Sequence, residues 1–231
     1  MAKTKPDVFV NLGDHVTFDS CSFFSVPHAE YTTAREDIDA AIHAFNLMER
    51  PIRELQLQQK QNKQRIYRPL RAFLGGNHED RLNRRMQDDE QVLGSLVTLF
   101  GLLDIYDRFD LHCGYREYLT IDGISYTHCP VNGRRQPITG VNRGRGIAMQ
   151  SQHNTVYGHT HKRDFSSVPL LGNANASKWA LNVPMFSDQE HVEKYAKDGT
   201  TGWAYGATEL LIYEDGTTID KWISMQELKE C

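Results

Sequence analysis

The stretch Gly75-Gly76-Asn77-His78-Glu79-Asp80-Arg81 follows a short apolar run, residues 70–74, and precedes a charged segment with helical character. The order strand, glycines, polar residues, helix places Asn77 and His78 at the carboxyl end of a buried strand, where open α/β sheets keep their ligand sites. Three other stretches share this organisation: Asn11-Leu12-Gly13-Asp14 after residues 8–10, Tyr126-Thr127-His128 after Ile124, and Tyr157-Gly158-His159-Thr160-His161 after Thr155-Val156. Each closes a β-branched or aromatic run with a residue able to bind a metal. Four strand ends delivering Asp, Asn and His make a metal site in an α/β fold the leading expectation.

Composition bounds the rest. The 231 residues are 39% hydrophobic and 24% charged with a net charge of -4, enough for one α/β domain over 1–231 with a sizeable core. No apolar run approaches the ~20 residues that a membrane span needs. The start, Met1-Ala2-Lys3-Thr4-Lys5-Pro6, lacks the apolar core of a signal peptide, so a cytoplasmic protein without a membrane partner is expected. Cys21, Cys113, Cys129 and Cys231 show no CxxC spacing and are expected as reduced thiols. Cys129 adjoins His128, but strand neighbours point to opposite faces, which favours a buried thiol over a ligand.

Along the chain, residues 7–11 read as a strand buried on both faces, turning at Gly13 into Asp14. His15 and Asp19 lie close by, in turn or surface roles rather than as ligands. Over residues 30–48, Ile38, Ala41, Ile42, Phe45 and Met48 recur at helical spacing. Pro51 is expected to end that helix and open a second over about 52–67. Between Arg50 and Arg71 seven basic residues face one acid, Glu54, which describes either a solvated face or a surface for phosphate backbones.

Helices are expected over 81–87 and 89–107, the latter burying Val92, Leu93, Leu96, Leu99, Phe100 and Leu103. A hairpin follows, strands 117–121 and 124–128 turning on Asp122-Gly123, with His128 closing the second strand. Residues 133–146 read as a loop carrying Arg134, Arg135, Arg143 and Arg145 and no acid, either a clamp for a substrate phosphate or a plain surface loop. Strands over 154–157 and 163–168, an irregular part over 171–202, and a hairpin of 207–213 with 217–223 turning on Asp215-Gly216 complete the chain.

Oxygen and imidazole ligands without thiolates suit Mn, Fe, Zn or Ni. Metals held this way lower the pKa of bound water and polarise phosphoryl oxygens, and a pair ~3.5–4 Å apart clamps both ends of an in-line displacement. Asp14 suits a bridging role. A departing alkoxide needs a proton, and His78, beside Asn77 on the opposite side of the backbone, is the candidate donor.

Gly13-Asp14, Gly76-Asn77-His78-Glu79, the lone His128 and Gly158-His159-Thr160-His161 occur in the order found in calcineurin-like metallophosphoesterases, and the chain resembles the small phage-encoded type. The resemblance implies a metallophosphatase-like β-sandwich flanked by helices and hydrolysis of a phosphomonoester or phosphodiester by a metal-activated water. It implies that Asp14 bridges two metals, that Asn77, His128 and His159 complete one site, that His161 serves the other, and that His78 assists the leaving group. A host-cytoplasmic location would follow for a phage protein.

The family's first motif, Asp-x-His, has no counterpart here: Asp7-Val8-Phe9 carries phenylalanine in place of the histidine. The family's first strand and helix are accordingly missing, and one metal keeps four ligands while the other keeps only Asp14 and His161. Truncation of an enzyme would account for this. The alternative is a one-metal scaffold without catalysis that binds nucleic acid or another polyanion. Nucleotides and nucleic acids both remain open as the phosphoester substrate.

Overall fold

The computed structural model describes residues 4–22, 32–88, 105–173, 176–188 and 201–230. Internal contacts divide the chain into two units, Met1–Leu119 and Thr120–Cys231. Both mix helices with β-sheet, and no described helix is long and apolar enough to cross a membrane.

In the first unit, strands β1 (Val8–Asn11), β2 (Leu70–Leu74) and β3 (Leu111–Cys113) form a sheet in that order. Both pairings are parallel, with Asn11 opposite Phe73. β1 is half-buried along its length instead of buried on both faces, because it lies at the edge of this sheet and β2 takes the centre. Parallel neighbours need a crossover, and helix α1 (Ala34–Gln61) supplies it.

The expected apolar stripe is the face that packs: Ile38, Ala41 and Phe45 are buried with Val16, Phe18, Phe73, Leu82 and Ile105, and Ile42 and Met48 lie against them. Thr33 and Glu36 close a capping box at the helix start, where two otherwise unpaired N–H groups find side-chain oxygens. The expected break at Pro51 does not occur, and one helix of 28 residues runs through it. Pro51 leaves one carbonyl without its helical donor, but burial of Ile52 and Phe45 on the core side holds the two halves in line.

The basic character of this helix is partly neutralised locally. Arg53 pairs with Glu49, Arg71 and Arg108 approach the same carboxylate at 3.4 and 3.6 Å, and Arg50 lies 3.9 Å from Glu54. Helix α2 (Glu79–Asp88) follows the glycine turn. The helix expected over 89–107 falls mainly on residues outside the described set.

The second unit holds a five-stranded sheet, ordered β4 (Leu119–Ile121), β5 (Ile124–Thr127), β6 (Asn154–Tyr157), β8 (Ser177–Asn182) and β7 (Asp164–Pro169). β5, β6 and β8 are parallel, and β7 runs antiparallel to β8. Helix α3 (Arg143–Gln150) crosses from β5 to β6 and buries Ile147 and Ala148 against Tyr157, Val168 and Ala180. Two expectations are corrected here. Residues 143–146, read as loop for their glycines, open α3, and β8 lies inside the stretch read as irregular. Gly144 is a packing requirement, since a Cβ there would lie 2.6 Å from the Asp164 carboxylate and the Ser166 hydroxyl. The terminal hairpin is as expected, β9 (Gly206–Ile212) with β10 (Thr218–Ser224), followed by the short helix α4 (Met225–Lys229).

His15 is half-buried against the core of the first unit. Its ring stacks on Phe45 with centroids 3.6 Å apart, and Nε2 lies 3.3 Å from the Ala41 carbonyl oxygen. Burial lowers its pKa from 6.5 to about 4, outweighing the opposing backbone contact. The unfolded ring therefore takes up its proton first, so the contribution of His15 to stability is full above pH 6.5 and is lost as the pH falls towards about 4. Urea unfolding across that range should show an acid limb that flattens in His15→Phe; an equal pH dependence in both chains would contradict the buried neutral ring. In the same assay Pro51→Ala should stabilise the chain by about 1–3 kcal/mol, by returning an N–H to the interior of α1.

Candidate metal centre

Asp14 and Asn77 leave the carboxyl ends of adjacent parallel strands, β1 and β2, which brings their loops together. The approach is close enough to require glycine on both sides. Gly13 has φ +94°, and a Cβ there would lie 2.5 Å from both the Leu74 carbonyl oxygen and the Gly76 nitrogen. A Cβ on Gly76 would overlap the Asp14 carboxylate.

The two loops are joined by Glu79, which is 2% exposed. Its Oε1 accepts the N–H groups of His15 at 2.7 Å and Val16 at 2.9 Å, and its Oε2 those of Gly76 at 2.7 Å and Asp14 at 2.9 Å. Four backbone donors thus converge on one carboxylate. Asp14 itself has φ 55°, and its Oδ1 accepts the backbone N–H of His78 at 3.0 Å. This sets the backbone of His78 beside Asp14 in the first unit. His78 is 9% exposed.

His128 and His159 follow β5 and β6, whose register sets Thr127 opposite Tyr157. The Gly158 N–H donates to the His128 carbonyl at 3.2 Å, so the two loops leave the sheet side by side. His128 is buried, and its Nε2 stands 3.2 Å from Nδ1 of His159. His159 and His161 both have left-handed backbone, φ 70° and 58°. The His161 ring packs edge-on against Trp203 at 4.8 Å. Asn182, 3% exposed on β8, donates its amide to the Thr160 hydroxyl and so steadies the loop between the two histidines. Its Oδ1 and the hydroxyl of Thr127 are buried without a hydrogen-bond partner among the described residues.

The residues that could hold a metal ion are thus Asp14 in the first unit and His128 with His159 in the second. The imidazole pair fits such an ion on chemical grounds. Two ring nitrogens facing at 3.2 Å need one proton between them when no cation is bound, whereas two deprotonated nitrogens present their lone pairs to a common ion.

Arg134 and Arg135 occupy the exposed tip of a turn in which the Asn132 side chain accepts the N–H groups of Arg134 at 2.9 Å and Gln136 at 3.1 Å. Asp19 is drawn into an ion pair with Arg81 at 2.7 Å. Cys21, Cys113 and Cys129 form no disulfide, and burial pushes Cys113 up to about 11, which keeps it protonated. Two residues had no role in the sequence reading. Glu79 was discernible as the acid of a helix-start pattern, three residues after Gly76. Arg81 had no local signal.

The chain matches no family model, no curated protein and no solved structure.

Because Glu79 accepts four N–H groups from two loops, Glu79→Gln should destabilise the chain by about 2–4 kcal/mol and Glu79→Ala by more. Denaturant unfolding of the metal-free chain checks this. A loss below about 1 kcal/mol would mean that the loops hold together without the carboxylate.

Proposed function

We propose that this chain is a metal-dependent phosphoesterase of the calcineurin-like kind, with the sandwich fold that its motifs imply. The observation that carries the reading is the imidazole pair, His128 Nε2 and His159 Nδ1 at 3.2 Å, at the carboxyl ends of adjacent parallel strands. The buried oxygens of Thr127 and Asn182, without a hydrogen-bond partner among the described residues, and the left-handed backbone of Asp14, His159 and His161 support it further. Strained residues of this kind persist where the surrounding structure over-determines them, and they cluster at functional sites.

In this reading Asp14, Asn77, His128 and His159 would hold one divalent cation, Mn, Fe, Zn or Ni, and His161 with Asp14 would contribute to a second. Such an ion supplies an acidified water and a polarised phosphoryl oxygen. The protein's own groups do the rest. Glu79 fixes the loop of Asp14, so the carboxylate keeps its place as charge changes nearby. His78 holds a proton for the departing oxygen of the ester. Arg134 and Arg135, exposed on their turn, offer guanidinium charge to a phosphate of the substrate.

The test is metal content after loading with manganese, measured on the same sample as turnover of an aryl phosphodiester. Bound metal with turnover is expected. Asp14→Asn and His128→Ala should lose metal, whereas His78→Ala should keep it and lose about 10²–10⁴-fold in kcat. A chain that takes up no manganese would sink the proposal. One metal per chain without turnover would favour the noncatalytic, polyanion-binding alternative.

A further inference from the structure

Arg81 sits in the first turn of α2 with its side chain only 15% exposed, and both of its Nη atoms are committed. Nη1 donates to the Thr17 carbonyl at 2.8 Å and to the Asp19 carboxylate at 2.7 Å. Nη2 stands 3.1 Å from Nε2 of His78. The turn that presents Thr17 and Asp19 is itself costly. Phe18, between them, has φ 44° and ψ 44°, a left-handed conformation that is exceptional for a bulky residue. Its ring is fully buried in the core of the first unit, and this packing offsets the strain. The turn holds an acceptor pair in front of Arg81 that an extended backbone would not provide.

The chemistry of the contact fixes its direction. A guanidinium has five N–H donors and no acceptor, so the His78 nitrogen facing it must carry a lone pair. In the neutral ring the single proton then resides on Nδ1, which has no hydrogen-bond partner among the described residues. Resting on the phosphoesterase reading above, we propose that Arg81 is a positioning residue that holds His78 in the Nδ1–H tautomer, so that Nδ1–H is the donor that hydrogen-bonds the leaving oxygen. Asp19 and the Thr17 carbonyl in turn hold Arg81. Lysine would not substitute, because a single ammonium cannot span Thr17, Asp19 and His78 with a planar fork.

Histidine-selective nitrogen NMR of the metal-free full chain at neutral pH reads the tautomer without any need for activity. The wild-type chain should show His78 protonated at Nδ1 and bare at Nε2. Arg81→Gln and Arg81→Lys should each move His78 towards a mixture of tautomers while the other histidines keep theirs, and Asp19→Asn should do so partially. In the manganese-loaded chain, Arg81→Gln should lower kcat by about 100-fold with KM changed less than about twofold, with metal content unchanged. A proton on Nε2 in the wild-type chain, or an unaltered His78 signal in both folded Arg81 variants, would overturn the proposal. If the tautomer shifts as expected while the wild-type chain hydrolyses no phosphoester, the positioning by Arg81 stands and the phosphoesterase reading falls.

Discussion

One buried carboxylate holds the first unit's loops in register. Glu79 has four lone-pair directions, and each is taken by a backbone N–H, three from the loop after β1 and one from the turn after β2. A charge so placed would be expensive if any of those donors withdrew, because the group would keep its desolvation and lose its compensation. The glycines at 13 and 76 follow from the same constraint, since the backbones must pass closely enough for one side chain to reach both. Asp14 and the backbone of His78 take their places within this arrangement.

Each unit separately follows one rule. A helix crosses between neighbouring parallel strands, α1 from β1 to β2 and α3 from β5 to β6, and the polar residues lie just past the carboxyl ends of those strands. Because neighbouring parallel strands finish at the same end of their sheet, residues far apart in sequence become neighbours there. His128 and His159 are 31 positions apart and hydrogen-bond distance in space. Oxygen and imidazole donors are the ligands that the proposed function takes from these ends, with the buried Cys129 beside His128 outside that set.

How much of this was legible in the sequence depended on how local the cause was. β2 and β6 coincide with their expected bounds because each is a short apolar run stopped by glycine. The packed face of α1 follows from spacing alone. Its continuity through Pro51 does not, since the burial of Ile52 and Phe45 that overrides the proline is a tertiary effect. Gly144 reads as a loop residue until Asp164 and Ser166 are placed against it, and β8, buried on both faces at Trp179, Ala180 and Leu181, lacks the alternation that would mark a strand. The candidate donors were readable one by one as strand ends. The roles of Glu79 and Arg81 were not, because their partners lie 62–65 positions away for all but the contacts to Gly76 and His78.

The left-handed backbone at His159 and His161 bears on how such a chain can change over generations. Glycine or asparagine would occupy either position at lower conformational cost, so drift governed by stability alone leads away from imidazole at both. Retaining two histidines there opposes the backbone's own preference. A descendant released from that opposition would become slightly more stable while losing His161 and the contact of His159 with His128 at 3.2 Å. In this loop, gains in robustness and losses of chemistry are the same substitutions.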